Sequence, residues 1–190
     1  ETENLKRRIE DLADQWRKKI AIFKNLPWYA EEKITFGAFS TFLGIQFTSD
    51  DSERGSNGFW SALAVGDTCV FQIRGNSLVC PFPISKVKEF LNSPMLLSSN
   101  VQKNSQVWEN VKIFQGKWRN DDVFILATDA LAQLFLSMYE HQQQPWNKIL
   151  NILIYKKSEK RKNSFQLWID ELRKTRKLKN DDVTLLIIRF

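Results

Sequence analysis

Histidine is nearly absent from this chain, because His141 is the one histidine among 190 residues. It stands in the run EHQQQP at the end of a predicted helix, where a lone histidine is far more often a surface residue than a catalyst or ligand. The chain therefore has no room for a Ser-His-Asp or Cys-His catalytic site. Any acid–base chemistry must use carboxylates, lysines or metal-bound water.

Cysteine is also scarce, and Cys69 and Cys80 are too few for a disulfide scaffold. Neither has a second cysteine or a histidine at the spacing of a metal site. The pair Gly75-Asn76 predicts a hairpin turn over residues 74–77. That turn places the two cysteines on adjacent strands but not opposite each other, so we expect reduced core or edge residues.

Long apolar runs are missing too. No run of about 18 or more uncharged apolar residues occurs, which predicts no transmembrane span. The first residues are too charged for a secretory signal. These two absences favour a cytoplasmic protein.

Aromatic residues, in contrast, are abundant. They make up 13% of the chain, with 7 Trp and 14 Phe, and supply the large apolar area that a stable core needs. At 190 residues the chain is long enough for one domain and too short to favour two. We therefore predict a single globular domain over residues 1–190.

Positive charge is in excess, with a net charge of +6, and it is concentrated in residues 156–162 and 173–179. A basic patch can bind nucleic acid or anionic substrates. No aromatic stacking motif or recognition-helix signature accompanies these residues. A solvated helix face or a mobile loop is therefore the favoured interpretation, and nucleic acid is not a favoured partner.

The apolar pattern predicts an α+β domain in layers. Helical spacing begins at Leu5 and continues to a point before Pro27, which indicates an amphipathic helix that either packs on a sheet or binds a partner. Further helices are predicted over 86–91 and 130–141, from Pro145, and over 165–172. Strand patterns occupy residues 35–47, 59–73, 78–82, 107–115, 123–127 and 183–190, with a hairpin loop over 49–58 and a turn over 116–121.

Three acidic positions lie at strand ends or at an interruption within a strand pattern. Asp67 follows Gly66 inside the pattern of 59–73, which suggests a bulge or an aimed carboxylate. Asp129 follows the buried strand 123–127 at the point where a helix begins, and Asp181 and Asp182 precede the last strand. Strands of one sheet can bring such positions together. Converging carboxylates suit Mg²⁺ or Mn²⁺ and could activate water for attack on phosphorus. Each Asp taken alone could equally be a turn or helix-cap residue.

Four segments resemble motifs of the metal-dependent protein phosphatases of the PPM type. They are GAFSTFLGI at 37–45, LAVGDTCVFQIRGNSL at 63–78, DDVFILATDAL at 121–131 and DDVTLLIIRF at 181–190. They occur in the family's order over almost the whole chain. LPWYAEEK at 26–33 also resembles the divergent bacterial branch of that family.

This resemblance implies an αββα sandwich of two central antiparallel sheets covered by helices, with a binuclear Mn²⁺ or Mg²⁺ centre at one edge. It implies that Asp129 and Asp181 ligate one ion, and that Asp67 belongs to an additional, weaker metal. A metal-bound bridging water would then attack phosphorus without a covalent enzyme intermediate.

The chain departs from the family pattern in three places. The first motif, a strand with an Asp-Gly whose Asp bridges both ions together with a nearby Arg, is absent before Gly37. We expect it upstream of Glu1; the other possibility is that this protein has lost it. Ala130 replaces the usual Gly after Asp129, and Gln133 stands where the family often has another acidic ligand.

Two functions therefore remain open at this point. The leading one is a protein serine/threonine phosphatase that acts on a phosphoprotein and is subject to a regulatory partner. The alternative is a catalytically silent phosphatase-like domain that binds a partner through its helical layer, with the basic segment 156–162 as a contact surface.

Overall fold

Two antiparallel sheets form the centre of the structure, which is a computed structural model that describes residues 2–23, 26–50, 56–153 and 158–190, without the side chains of 158–162. The strands in chain order are β1 (Phe39–Ser40), β2 (Phe42–Ser49), β3 (Asn57–Val65), β4 (Cys69–Arg74), β5 (Ser77–Phe82), β6 (Leu97–Ser98), β7 (Lys112–Arg119), β8 (Asp122–Ala127) and β9 (Leu185–Arg189). One sheet has the order β2-β3-β7, the other has the order β5-β4-β8-β9, and β1 pairs with β6.

The helices of the described residues are α1 (Thr2–Ile20), α2 (Trp28–Phe36), α3 (Ser105–Glu109), α4 (Asp129–Glu140), α5 (Pro145–Leu153) and α6 (Ser158–Lys174). Helices α4, α5 and α6 cover the outer face of the four-stranded sheet, where Phe71 of β4 stacks on Phe135 of α4 with ring centroids 4.0 Å apart. Helix α1 lies on the opposite side, where Ile9 packs with Phe42 and Val65 of the three-stranded sheet.

The strand β8 shows why the two sheets lie between helices. Successive side chains of a strand point to opposite faces, and in β8 both faces are buried. Phe124 contacts Trp60 of β3 in the layer between the sheets, whereas Ile125 packs in the cluster that includes α4 and α5. The predicted α+β sandwich of two central antiparallel sheets with helices on the outside is therefore confirmed.

The connection between the sheets corrects one sequence prediction. Residues 59–73 do not form one interrupted strand, because β3 ends at Val65 and β4 begins at Cys69 in the other sheet. Gly66, between them, has φ +93°, a conformation that L side chains rarely adopt. The Gly-Asp pair is therefore neither a bulge nor part of a strand; it is the crossing from one sheet to the other.

The segment after β5 corrects a second prediction. In place of a helix over 86–91 there is only a short 3-10 helix, Val87–Glu89, preceded by extended backbone at Lys86. The side chain of Glu89 accepts a hydrogen bond from the backbone N–H of Ser85, and Glu140 of α4 accepts one from the N–H of Val87. These acceptors satisfy N–H groups that the first turn of any helix leaves without a partner, and extended backbone at Phe90 ends the helix after Glu89.

Smaller differences concern boundaries. The predicted strand 107–115 begins later, because Ser105–Glu109 is helical, and β7 continues to Arg119 through the predicted turn. Residues 35 and 36 belong to α2 rather than to a strand. The hairpin between β2 and β3 is confirmed by their pairing, although residues 51–55 at its tip lie outside the described residues.

The scarce residues lie where the sequence predicted. Cys80 pairs with Gln72 of β4, whereas Cys69 pairs with Ala127 of β8, so the two cysteines are not opposite each other and both are free. His141 is exposed at the end of α4, where its Nδ1 lies 2.7 Å from the carbonyl oxygen of Ser137. In the part of the chain that the structure describes, no helix combines the length and apolar character needed to cross a membrane.

Candidate functional site

Asp67 is held in the crossing between the two sheets. A Cβ atom on Gly66 would lie 2.6 Å from Thr41 Cγ2 and 3.1 Å from the carbonyl oxygen of Met95, so the backbone passes too close to its neighbours for any other residue. The hydroxyl of Thr68, the residue after Asp67, is hydrogen-bonded to the hydroxyl of Thr41 at 2.9 Å. This packing leaves Asp67 only 7% exposed.

The pKa of Asp67 connects the three acidic positions. Burial raises the pKa of this carboxyl above its ordinary value, and the negative charges of Asp129 and Asp181 raise it further. The positive charge of Lys179 acts in the opposite direction. Asp129 and Asp181, which are 62 and 114 positions from Asp67 in sequence, therefore both act on its carboxyl.

Asp129 is the first residue of α4 and is half-buried. Its position puts a carboxylate at the positive end of the helix dipole. Thr128 makes no side-chain capping bond to the helix, although the N–H of Ala132 donates to its carbonyl oxygen. The next residue, Ala130, is buried in the core cluster, so a methyl group fits where the phosphatase family usually has glycine.

Asp181 lies on the exposed segment that leads into β9. Its side chain accepts a hydrogen bond from the N–H of the next residue, Asp182, at 2.7 Å. Its carbonyl oxygen accepts a hydrogen bond from Nη2 of Arg173 in α6. The side chain of Asp181 therefore has a local structural role while its charge also acts on Asp67.

Thr128 links the segments that carry Asp129 and Asp181. Its hydroxyl donates to the carbonyl oxygen of Asp182 at 3.2 Å and accepts from the N–H of Thr184 at 3.0 Å. Its own N–H donates to the carbonyl oxygen of Thr184 at 3.2 Å. These bonds continue the pairing of β8 and β9 past the strand ends.

Most basic residues of 173–179 are exposed, as the sequence predicts: Lys174, Arg176, Lys177 and Lys179. Arg173 is half-buried, and its Nε is shielded from solvent without a hydrogen-bond partner among the described residues. Leu178 is buried in the core, and the charge of Lys179 acts on Asp67. Local spacing does not predict these contacts, because they depend on the approach of α6 and the following turn to other parts of the chain. The side chains of 156–162 lie outside the described residues, so their predicted role as a contact surface stays a prediction.

The carboxylate groups of Asp67, Asp129 and Asp181 are the type of ligand that a hard divalent cation prefers, since Mg²⁺ and Mn²⁺ bind carboxylate oxygens. Burial is the main cause of the raised pKa of Asp67, and the repulsion by Asp129 and Asp181 that adds to it is of the kind that a cation would relieve. Within the described residues, however, no three Asp, Glu, His or Cys side chains lie in a group that could hold a metal ion. That Asp67, Asp129 and Asp181 ligate metal stays a prediction.

Cysteine does not extend this donor set. Cys69 follows the Asp67 turn directly, and its Sγ donates a hydrogen bond to the carbonyl oxygen of Asp67 at 3.3 Å. Burial raises the pKa of the Cys69 thiol to about 12. Because a thiolate, not a thiol, is the metal ligand and nucleophile, this side chain is protonated and unreactive at neutral pH.

A cavity of about 190 Å³ lies beside Asp67 and is also lined by Glu89, Met95 and Lys112. The lining contains two carboxylates, those of Asp67 and Glu89, and the ammonium group of Lys112, but neither Asp129 nor Asp181 lines it. A larger cavity of about 420 Å³ lies between α1, α2 and residues 99–102, with no carboxylate in its lining. The volume of a cavity therefore does not indicate where the candidate site of this chain lies.

No protein-family model and no curated protein matches the chain. Among solved structures, the phosphatase domain of the cell fate determinant SpoIIE from Bacillus subtilis is 17% identical, with a TM-score of 0.41, over 100% of this chain and 72% of its own. The photosystem II phosphatase PBCP is 15% identical, with a TM-score of 0.37, over 54% of this chain. The match spans only 39% of the PBCP chain. Both TM-scores are below 0.5, so the fold assignment rests on the strand order and pairing described above.

Proposed function

We propose that this chain is a metal-dependent phosphatase domain that hydrolyses phosphoserine or phosphothreonine in a protein substrate. The observation that supports it best is that the charges of Asp129 and Asp181, from two other segments of the chain, both act on the buried carboxyl of Asp67. The resemblance of the four sequence segments to metal-dependent phosphatases supports the same proposal. A soluble cytoplasmic location and a regulatory protein partner are part of the proposal.

Asp129 and Asp181 would hold Mn²⁺ or Mg²⁺, and Asp67 would contribute to a further, weaker site. When bound, such an ion lowers the pKa of a coordinated water and neutralises charge on a phosphoryl group. The chain itself orients the carboxylates by attaching Asp129 to the start of α4 and the Asp181 segment to Arg173. Lys179 adds a positive charge near Asp67, which favours an anionic substrate at this edge.

The test is hydrolysis of a phosphoserine peptide with and without Mn²⁺, compared with Asp129→Asn. This change keeps the size of the side chain and removes the charged ligand, so we expect turnover to fall by at least about 100-fold. We expect the melting temperature to stay within about 2 °C, since a half-buried Asp without a capping role contributes little to stability.

Asp121→Asn is the matched control, because Asp121 is an exposed turn carboxylate on the same segment. It should leave both activity and melting temperature unchanged. Absence of metal-dependent turnover in the wild-type protein would refute the enzyme proposal. A large loss of stability in Asp129→Asn would instead identify Asp129 as a structural residue.

A catalytically silent binding module is the second candidate, and one observation favours it. The described residues contain no group of three donor side chains that could hold a metal ion. The N-terminal region also exposes a set of large apolar side chains that a partner could cover: Leu12, Trp16, Ile22, Phe23, Trp28, Tyr29, Ile34, Phe36 and Phe39. The activity assay above distinguishes the two candidates.

A further inference from the structure

We infer that Thr128 is a positioning residue that sets the separation of the two ligand-bearing segments, an inference that rests on the proposed function. Thr128 directly precedes Asp129, and it contacts the segment of Asp181 across the sheet edge. Asp129 and Asp181 are distant in sequence, and the pairing of β8 with β9 brings their segments together only as far as Ala127 and Leu185. The contacts of Thr128 extend that connection beyond the strand ends.

Three hydrogen bonds cross from Thr128 to the segment before β9. In one of them the backbone N–H of Thr128 donates to the carbonyl oxygen of Thr184, a hydrogen bond that any residue except proline could make at this position. The other two use the hydroxyl, which donates to the carbonyl oxygen of Asp182 and accepts from the N–H of Thr184. The hydroxyl therefore contacts backbone groups on both sides of Val183, and these are the bonds specific to threonine or serine.

The same residue is anchored in α4. The N–H of Ala132 donates to the carbonyl oxygen of Thr128 at 2.9 Å, which fixes Thr128 at the start of the helix that begins with Asp129. On the opposite side, Arg173 of α6 donates to the carbonyl oxygen of Asp181. The Asp181–Asp182 segment is therefore held between α4 and α6, through one hydroxyl and one guanidinium.

A positioning role and a purely structural role predict different measurements. The two hydroxyl bonds are exposed to solvent, and water can replace them, so each contributes only about 1 kcal/mol or less to folding. Metal ligands, in contrast, need placement within about 0.5 Å, and loss of a residue that orients a ligand commonly weakens metal binding by about 10- to 100-fold. Loss of the hydroxyl should thus affect metal affinity more than stability.

The experiment compares Thr128→Val, Thr128→Ser and Thr184→Val with the wild-type chain. Valine has the shape of threonine without the hydroxyl, and serine restores the hydroxyl. Thr184→Val makes the same chemical change at the residue across the edge, whose contacts to Thr128 use backbone atoms only. Mn²⁺ affinity is measured by electron paramagnetic resonance of the free ion, and exchange of the Thr184 amide is followed by NMR without metal.

We expect Thr128→Val to weaken Mn²⁺ binding about tenfold and to accelerate exchange of the Thr184 amide. Thr128→Ser and Thr184→Val should remain within about twofold of the wild-type affinity. With substrate, the concentration of Mn²⁺ for half-maximal activity should rise in Thr128→Val while kcat at saturating Mn²⁺ changes little.

Wild-type affinity in Thr128→Val would overturn the positioning role and leave the proposed metal site standing. Equal weakening in Thr128→Val and Thr128→Ser would also overturn it, because the hydroxyl would then not be the group that matters. A wild-type chain that binds no Mn²⁺ would overturn the proposed function and this inference together.

Discussion

Asp67 combines burial with negative neighbours, which is an unfavourable arrangement for a carboxylate at neutral pH. Burial, Asp129 and Asp181 all raise its pKa. An acid whose pKa is higher in the folded state loses protons later than in the unfolded chain, so its ionisation lowers folding stability as pH rises above the ordinary value near 3.8. Such an unfavourable electrostatic environment is common at functional sites, including those that bind a cation.

Asp67→Asn should therefore raise the melting temperature of the metal-free protein at neutral pH. The amide keeps the shape and removes the buried charge, and we expect a gain of about 2 °C or more, which corresponds to somewhat under 1 kcal/mol for a chain of this size. The gain should shrink as pH falls toward 4, because wild-type Asp67 then becomes neutral too. Melting curves in a chelator between pH 4 and 8 measure both effects.

Asp121→Asn serves as the control here as well, since Asp121 is exposed and its substitution should change the melting temperature little at any pH. With saturating Mn²⁺ the order of stability should reverse if Asp67 contributes to metal binding, because the wild type gains more from the ion. A destabilised Asp67→Asn in chelator would show that the carboxylate is a satisfied structural group instead.

At the scale of elements, a buried polar network joins the two sheets through Gln72 of β4. Its Oε1 accepts a hydrogen bond from Nε1 of Trp60 in β3, and its Nε2 donates to the carbonyl oxygen of Lys117 in β7 and to Asp122. Asp122 is buried and also accepts two bonds from Arg74. Burial would raise the pKa of Asp122, but these hydrogen bonds outweigh it and hold the pKa below its ordinary value.

Gln72→Leu should strongly destabilise the protein, because leucine fills the space but leaves Trp60 Nε1 and the carbonyl oxygen of Lys117 without these partners. A buried polar group that loses its partner costs about 1–3 kcal/mol, so we expect a loss of about 2–5 kcal/mol in the free energy of unfolding. Urea titration with an unchanged m-value would measure it. Gln115→Leu replaces an exposed side chain of β7 and should leave the free energy of unfolding nearly unchanged. An equal loss of stability in Gln72→Leu and Gln115→Leu would contradict the role of the network.

Sequence patterns predicted elements well where burial is periodic. The strand 123–127 and the helices at 130–141 and from Pro145 were correctly predicted, because their apolar spacing matches the face that they bury. Patterns failed where extended backbone encloses a single short turn of helix, as at Val87–Glu89, and where one apolar run serves two sheets, as at 59–73. The three acidic site candidates were chosen because they lie at strand ends or at an interruption within a strand pattern, and their role as metal ligands stays a prediction. Thr128 and Arg173 were missed because their contacts depend on tertiary approach, which local spacing does not encode.

At the scale of the whole molecule, packing is uneven between the sheets and the N-terminal helices. In β4, five of the six residues are buried, whereas α2 has no buried residue and α1 buries only Ala13. Helix α2 is nonetheless rich in large apolar side chains, including the exposed Trp28, Tyr29 and Phe36. Because helix stability in proteins comes mostly from a packed face, these two helices should be the least stable elements of the fold.

Amide hydrogen exchange measured by mass spectrometry should therefore proceed in a fixed order. Peptides from α2 should exchange fastest and those from α1 next, while peptides from β4 and β8 should be protected up to the global free energy of unfolding, since local opening needs little energy where few apolar contacts are broken. Repeating the measurement at tenfold lower protein concentration provides the control. Protection of α2 equal to that of β4 at both concentrations would contradict the expectation. Protection that disappears on dilution would show that a second copy covers the exposed aromatic side chains of α2.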